Sequence, residues 1–278
     1  MLKPLRNMFH RRTAEIDENN SSVPAGSYPV KVLARDLENE TIPESGGVET
    51  FDTSEAVEIN QARLTHLDSL GLDLSGKRVL DVGCGVGHLA QFFVERNCEV
   101  VCVDGREENI ARLHSLYPDL AAHSIANIET ESLSRFGAFD IVFCYGLLYH
   151  TDNPVAALRN MAAACTELLL LETMVCDHNL PLLRIEDETK TLSQGLLGLG
   201  CRPSPSFVGL ALNRVGFEYV YTPKHQPKHR DFSIEWKNNL DTWRDGPMRS
   251  VFVASRTMLE NPNLSTLLKH DEWRLRWT

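Results

Sequence analysis

The stretch Val79–Ala90, VLDVGCGVGHLA, constrains the fold more than any other part of the sequence. An apolar run enters three glycines at alternate positions, Gly83, Gly85 and Gly87, and leaves into a helical segment. Residues without a Cβ let such a turn use positive φ and let another group approach the backbone closely. On both sides of it, strand and helix patterns alternate. Ser54–Leu70 spaces its apolar residues as a helix does, and Gly71 is placed to cap it. Then come strand Arg78–Val82, helix Gly87–Arg96, strand Glu99–Val103, helix Glu107–Tyr117 stopped by Pro118, and strand Ala122–Ala126. Phe139–Tyr145, Pro154–Cys165 and Glu167–Val175 read as strand, helix, strand. Helix Ser206–Val215 precedes strands Glu218–Thr222 and Ser250–Ser255. Short strands alternating with ten-residue helices imply right-handed crossovers and a mostly parallel sheet with helices on both faces.

This pattern divides the chain into an N-terminal arm at 1–50, polar and broken by prolines, a domain at 51–256, and a C-terminal helical tail at 257–278. Two stretches, 176–205 and 223–248, are long for connections inside a compact domain and are expected to form a lid over a substrate.

Three bulk properties limit the classes of function. The formal net charge of −10 sets an average field that repels phosphate polymers, so nucleic acid is disfavoured as a partner. Lys224–Arg230, KHQPKHR, is the best candidate for a local basic patch, though a solvated loop is the favoured reading. No apolar run approaches the roughly 18 residues a bilayer span requires. The seven cysteines form no CxxC pair and several lie in apolar runs, which fits a reducing cytoplasm and no membrane.

The motif carries chemical information beyond its glycines. Their spacing is GxGxG, not the GxGxxG dinucleotide fingerprint, whose third glycine would fall at His88. Asp81 stands two residues before Gly83. A carboxylate there repels a pyrophosphate and suits a ligand with an ammonium group and no phosphate. The second strand ends at Asp104, where a carboxylate can accept both hydroxyls of a ribose.

On these residues the sequence resembles the class I S-adenosylmethionine-dependent methyltransferases. DVGCGVG looks like their first motif and VVCVD, Val100–Asp104, like their second. FDIVFCYGLLYHTDNP, Phe139–Pro154, looks like their fourth-strand region, and the later elements like their closing hairpin. The likeness covers roughly residues 55–256. It implies a Rossmann-like, seven-stranded sheet with an antiparallel last strand, and S-adenosylmethionine as cofactor. Carried over by residue, it implies close cofactor contact at Gly83, Cys84, Gly85 and Gly87, and Asp81 near the methionine amino group. Asp104 would hold the ribose, with Gly105 and Arg106 beside it. Asn127 and Ile128 would meet the adenine, and Tyr145 and Gly146 the methionine side. YHTDNP is also similar to the tRNA wobble-uridine carboxymethyltransferases, without the rest of that family's basic frame.

Ligands of open α/β sheets sit beyond the carboxyl ends of the strands, which places Tyr145–Asp152 beside the reacting methyl. His150 is the candidate general base, since its ordinary pKa lies near neutrality. Tyr149 either shapes the pocket or fills it. Glu172, Asp177 and His178 could hold a divalent metal together with His150, though a metal-free polar loop is the expectation. Arg202, Phe207, Phe232, Trp236 and Trp243 are candidates to shape an acceptor site, or core residues. His225 and His229 lie in a loop that proline breaks, where helical ligand spacing does not apply. Arg63 and Gln61, on the helix before the first strand, read as a solvated face or as reaching the cofactor's carboxylate.

The function expected is methyl transfer from S-adenosylmethionine to a small-molecule hydroxyl, on a sugar or natural product, with a homodimer compatible. A tRNA- or protein-directed methyltransferase and a non-catalytic cofactor-binding regulator are the alternatives.

Overall fold

The computed structural model describes residues 47–120, 122–188, 191–233 and 248–266. Its main sheet is built from β1 (Arg78–Val82), β2 (Glu99–Asp104), β3 (Ala122–Ile125), β4 (Phe139–Tyr145), β5 (Cys165–Met174), β8 (Tyr219–Pro223), β9 (Arg249–Ser255) and β10 (Leu264–Ser265). β6 (Leu183–Asp187) and β7 (Leu199–Pro203) form a separate two-stranded hairpin. The helices are α1 (Ser54–Ser69), α2 (Gln91–Val94), α3 (Glu107–Leu116), α4 (Pro154–Ala164) and α5 (Pro205–Arg214).

The eight strands run in the order β10-β8-β9-β5-β4-β1-β2-β3. β1 pairs in parallel with β2 and β4, β2 with β3, and β4 with β5, while β9 is antiparallel to both β5 and β8. The chain order reverses at β1, and the crevice outside the carboxyl ends of β1 and β4 is where sheets of this kind bind ligands.

Alternation along the strands makes two cores. Leu80, Val82, Val142, Leu169, Leu171 and Phe252 face α4 and α5. Val79, Ile141, Phe143, Leu170 and Val253 face the side of α1 and α3, with Leu67, Ile110 and Leu113. Burial on both sides explains why these strands read as continuous apolar runs. Each buried Leu or Phe contributes about 1.5–3 kcal/mol. Side chains cap the helices that begin after loops: Thr53 Oγ1 accepts from Ala56 N–H, Asn153 Oδ1 from Ala156 N–H, and Ser204 Oγ from Phe207 N–H.

Three expectations need correction. The sheet has one strand more than seven, because Leu264–Ser265 pairs antiparallel with β8. That strand lies in the segment expected to be a helical tail, and 257–266 contains no helix; 267–278, like 1–46 of the arm, falls outside the described residues. The helix expected at Gly87–Arg96 shortens to Gln91–Val94, because Gly87 holds φ at 87° and the chain passes through turns before it closes a helical bond. Among the described residues, no helix is long and apolar enough to cross a membrane.

Candidate active site

Gly83, Gly85 and Gly87 hold φ at 74°, 54° and 87°, so the turn after β1 takes a path that side-chain-bearing residues avoid. A Cβ on Gly83 would meet Leu147 at 2.5 Å, and one on Gly85 would meet Phe51 at 2.9 Å. Leu147 and Phe51 are walls of a narrow chamber of about 90 Å³ beside the turn, so added side chains would close it. Asp104, Gly105, Arg106, Ala126, Ile128, Gly146 and Leu196 complete that chamber. A second, larger chamber of about 450 Å³ shares Phe51, Gly83, Gly85, Gly146 and His150 with it. It extends over Cys84, Tyr145, Tyr149, Arg63, Arg202 and Arg249.

Acids flank the turn from below. Asp81 is buried at the end of β1, and its Oδ2 has no hydrogen-bond partner. Burial, reinforced by the charge of Asp104, pushes its carboxyl up to about 8. Asp104 closes β2; its Oδ2 accepts Gly85 N–H at 3.0 Å, and its Oδ1 accepts Arg106 N–H and Asn109 Nδ2 at 3.0 Å. Burial raises the Asp104 carboxyl, and these three donors offset part of the rise.

Residues 191–196, between β6 and β7, contact this region. Arg106 Nη2 donates to the carbonyls of Gln194 and Gly195 at 3.2 Å, and Asn109 Nδ2 to that of Leu192 at 3.3 Å. Leu196 packs where a Cβ on Gly105 would sit.

His150 lies where the two chambers join, in a short 3-10 turn after β4. Its Nδ1 is 2.6 Å from Glu188 Oε2, and Glu188, just past β6, is 4% exposed at its side chain. Burial works to raise the Glu188 carboxyl, and the His150 hydrogen bond and charge outweigh it, leaving it below the ordinary range. The Tyr149 ring lies 4.0 Å from the His150 ring, with the Arg202 and Arg249 guanidiniums 5.2 and 4.9 Å from its centroid.

Glu172 carries a buried ion network beneath the larger chamber. Arg63 Nη2 meets its Oε2 at 2.6 Å, and Arg249 Nη1 meets its Oε1 at 3.1 Å. Arg249 also reaches Asp231 Oδ2 at 3.3 Å and Tyr149 OH at 3.2 Å. Burial alone would raise the Glu172 carboxyl; the guanidiniums of Arg63 and Arg249 hold it below the ordinary range. Arg63 is therefore a buried wall of the site and not a solvated face, while Gln61 is exposed and bonds Thr65.

The other candidate residues of the sequence take varied places. Gly87 does not line either chamber: a Cβ there would meet Leu113 of α3 at 3.0 Å, so it serves close packing. Asn127 spends its Oδ1 on Glu129 N–H, a local turn bond, and the wall it was expected to supply comes from Ala126 and Ile128. The set Glu172, Asp177, His178 and His150 does not assemble for a metal, because Glu172 is held by two arginines and His178 Nδ1 accepts Leu180 N–H. Phe207 and Phe232 pack into the cores, whereas Arg202 does line the larger chamber. His229 also lines it, its Nδ1 accepting Asp231 N–H, while the carbonyl of His225 is bonded by His66. Trp236 and Trp243 lie outside the described residues. Phe51 and Glu188 are site residues that the sequence reading did not single out.

The sheet order, the glycine turn after β1 and the acid ending β2 define a Rossmann-like α/β domain of the class I methyltransferase kind. A family model described as a methyltransferase domain matches residues 58–222, more than half of the chain, and the chain belongs to that family. The ubiquinone biosynthesis O-methyltransferase of Acinetobacter baylyi is 35% identical over 116 residues, 40% of this chain and 47% of that protein. The protein of the same description from Neisseria meningitidis is 37% identical over 123 residues, 42% of this chain and 50% of that one. The matched stretch thus spans about half the length of these relatives. Two solved structures share the fold. The N-terminal domain of EvdMO1, determined in the presence of SAH and D-fucose, superposes with a TM-score of 0.55 at 21% identity, covering 70% of this chain and 81% of that one. An S-adenosylmethionine-dependent methyltransferase from Mesorhizobium loti gives 0.51 at 18% identity, covering 70% and 98%.

Proposed function

We propose that this protein transfers a methyl group from S-adenosylmethionine to a hydroxyl of a small molecule, with His150 as general base. The observation that carries the reading is the position of His150, which walls both the narrow chamber and the larger one.

The residues present suit the cofactor. Phe51, Ile128 and Leu196 make the narrow chamber apolar, as an adenine requires, and Asp104 stands at its edge as an acceptor for ribose hydroxyls. Asp81 is an acid without a partner, and an ammonium group is the partner that would relieve its burial. Tyr145, whose hydroxyl is likewise buried without a partner, and Arg63, with its Nε unpaired, would hold the carboxylate end of the amino acid. No phosphate enters this arrangement, in keeping with two acids below the turn. When bound, the cofactor supplies an electrophilic methyl on a sulfonium.

The chain supplies alignment and proton removal. The larger chamber receives the acceptor between Tyr149, Arg202 and Arg249, and Ser193 and Gln194 of the loop at 191–196 line it, the loop being tied to Arg106 and Asn109. His150 takes the hydroxyl proton. The oxygen-methyl-transferring relatives favour oxygen over nitrogen or carbon as the acceptor atom.

The test is tritiated-methyl transfer from S-adenosylmethionine to a panel of dihydroxybenzoates, polyphenols and sugars, with bulk tRNA and cell protein beside it. Label in a hydroxylated small molecule, lost in His150→Ala, supports the reading. Label only in tRNA or protein, or His150→Ala with unchanged turnover, overturns it.

A further inference from the structure

We propose that Glu188, carried on the lid, is the positioning residue for His150: it fixes the imidazole with Nδ1 protonated and Nε2 free to act on the acceptor. The proposal deepens the reading of His150 as base and rests on it.

The geometry separates the two ring nitrogens. Glu188 sits below the ordinary carboxylate range and is therefore ionised, and an ionised carboxylate only accepts. At 2.6 Å the Nδ1 of His150 must then be the donor. In the neutral ring this leaves Nε2 as the lone-pair nitrogen, the form a general base needs.

Glu188 is itself held so that it cannot drift. Its Oε2 also accepts Gly195 N–H at 3.0 Å, and its Oε1 lies 3.4 Å from Arg202 Nη1. Arg202 in turn donates to the Tyr149 carbonyl at 3.2 Å, one residue from His150. The backbone is pared away to admit this carboxylate: a Cβ on Gly195 would meet it at 3.1 Å and the His150 carbonyl at 2.9 Å, and one on Gly200 would meet the Tyr149 carbonyl at 2.6 Å. The same loop is tied to the β2–α3 junction by Arg106 and Asn109. The loop that carries Gly195 thus contacts both the nucleoside side and the carboxylate that orients the base.

In the step itself the acceptor oxygen forms its bond to the methyl as the methyl–sulfur bond breaks. The acceptor's hydroxyl proton passes to Nε2, and the Glu188 carboxylate balances the imidazolium until that proton leaves to water.

Two measurements on the full chain with S-adenosylhomocysteine bound test this. The first is the tautomer of His150, read from long-range nitrogen–proton correlations of protein labelled in its histidine nitrogens. Wild type should show Nδ1 protonated and Nε2 bare, and Glu188→Ala should show the Nε2-protonated form or a mixture. Wild type with Nε2 protonated, or a variant identical to wild type, overturns the proposal. The second is the kinetics of Glu188→Gln, which keeps the size of the side chain and loses its charge. With any acceptor that takes label in the panel above, kcat should fall about tenfold or more while the Kd for S-adenosylmethionine moves less than about threefold. An unchanged kcat in this variant, with His150→Ala crippled, overturns the role of Glu188 alone. An unchanged kcat in both variants overturns the reading of His150 as base. A matched rise in Kd with no loss of kcat reduces Glu188 to a lid latch and also overturns the proposal.

Discussion

Asp81→Asn separates what the acid at 81 costs the fold from what it does for the ligand. Burial, with the Asp104 charge added, lifts the Asp81 carboxyl from 3.8 to about 8. At about 1.36 kcal/mol for each tenfold change in proton affinity, that difference caps the folding cost of the ionised form at about 6 kcal/mol. The direction follows from counting protons. Between pH 3.8 and about pH 8 the folded chain keeps a proton that the unfolded chain has lost, so stability falls as pH rises through that window and levels off above it. Asparagine has no such proton to lose. Relaxation around the charge lowers the recoverable part, and we expect the ligand-free variant to gain about 3 kcal/mol over wild type near pH 8.5 and under about 1 kcal/mol near pH 4.5. Urea unfolding of both proteins at several pH values gives the two curves. A gap that does not widen with pH, or a variant less stable than wild type near pH 8.5, refutes the reasoning. The same substitution should weaken S-adenosylmethionine binding by about tenfold, since a charged hydrogen bond becomes a neutral one.

Three further outcomes are expected. Asp104→Ala removes the acceptor for Gly85 N–H and the carboxylate proposed to hold the ribose, and calorimetric titration should show S-adenosylmethionine affinity down by about tenfold or more. Glu172→Ala leaves Arg63 and Arg249 facing each other without their shared anion, and denaturant unfolding should report a loss of roughly 3–5 kcal/mol. Gly87→Ala strains a residue at φ 87° and crowds Leu113; it should cost roughly 1–3 kcal/mol in stability, with cofactor affinity within about threefold of wild type, because this glycine packs and does not line a chamber.

What the sequence discloses follows from where each signal lives. The central strands β1, β4 and β5 are largely buried and bounded by turn residues, so their apolar runs mark them to within a residue or two. The glycine turn and the acids at 81 and 104 are local, so the sequence shows them directly, and the resemblance they carry points to the ligand class. Glu188 and His150 lie 38 positions apart, and nothing periodic in the stretch RIEDETK marks one of its acids as a partner for a distant imidazole. Arg63 is ambiguous for a related reason: an arginine on a helix reads more readily as a solvated face than as a wall of a site. The legible clue was Glu172. A carboxylate inside the run LLLLETM cannot be buried alone, and cations had to come from elsewhere in the chain. At Asn127 and Gly87 a family position keeps its residue type, while the Asn127 side chain bonds the local backbone and the bare Gly87 Cα makes room for a neighbouring helix.

The central claim is that the turn after β1, between the acids at 81 and 104, is built to take a phosphate-free nucleoside with a charged amino-acid tail. Titration of the full-length wild-type chain with S-adenosylhomocysteine, beside NAD and ATP, addresses it directly. A single site for S-adenosylhomocysteine with affinity in about the micromolar range, and no heat from either phosphate-bearing ligand, is the predicted result. No detectable binding of S-adenosylhomocysteine, or a preference for NAD or ATP, would contradict it.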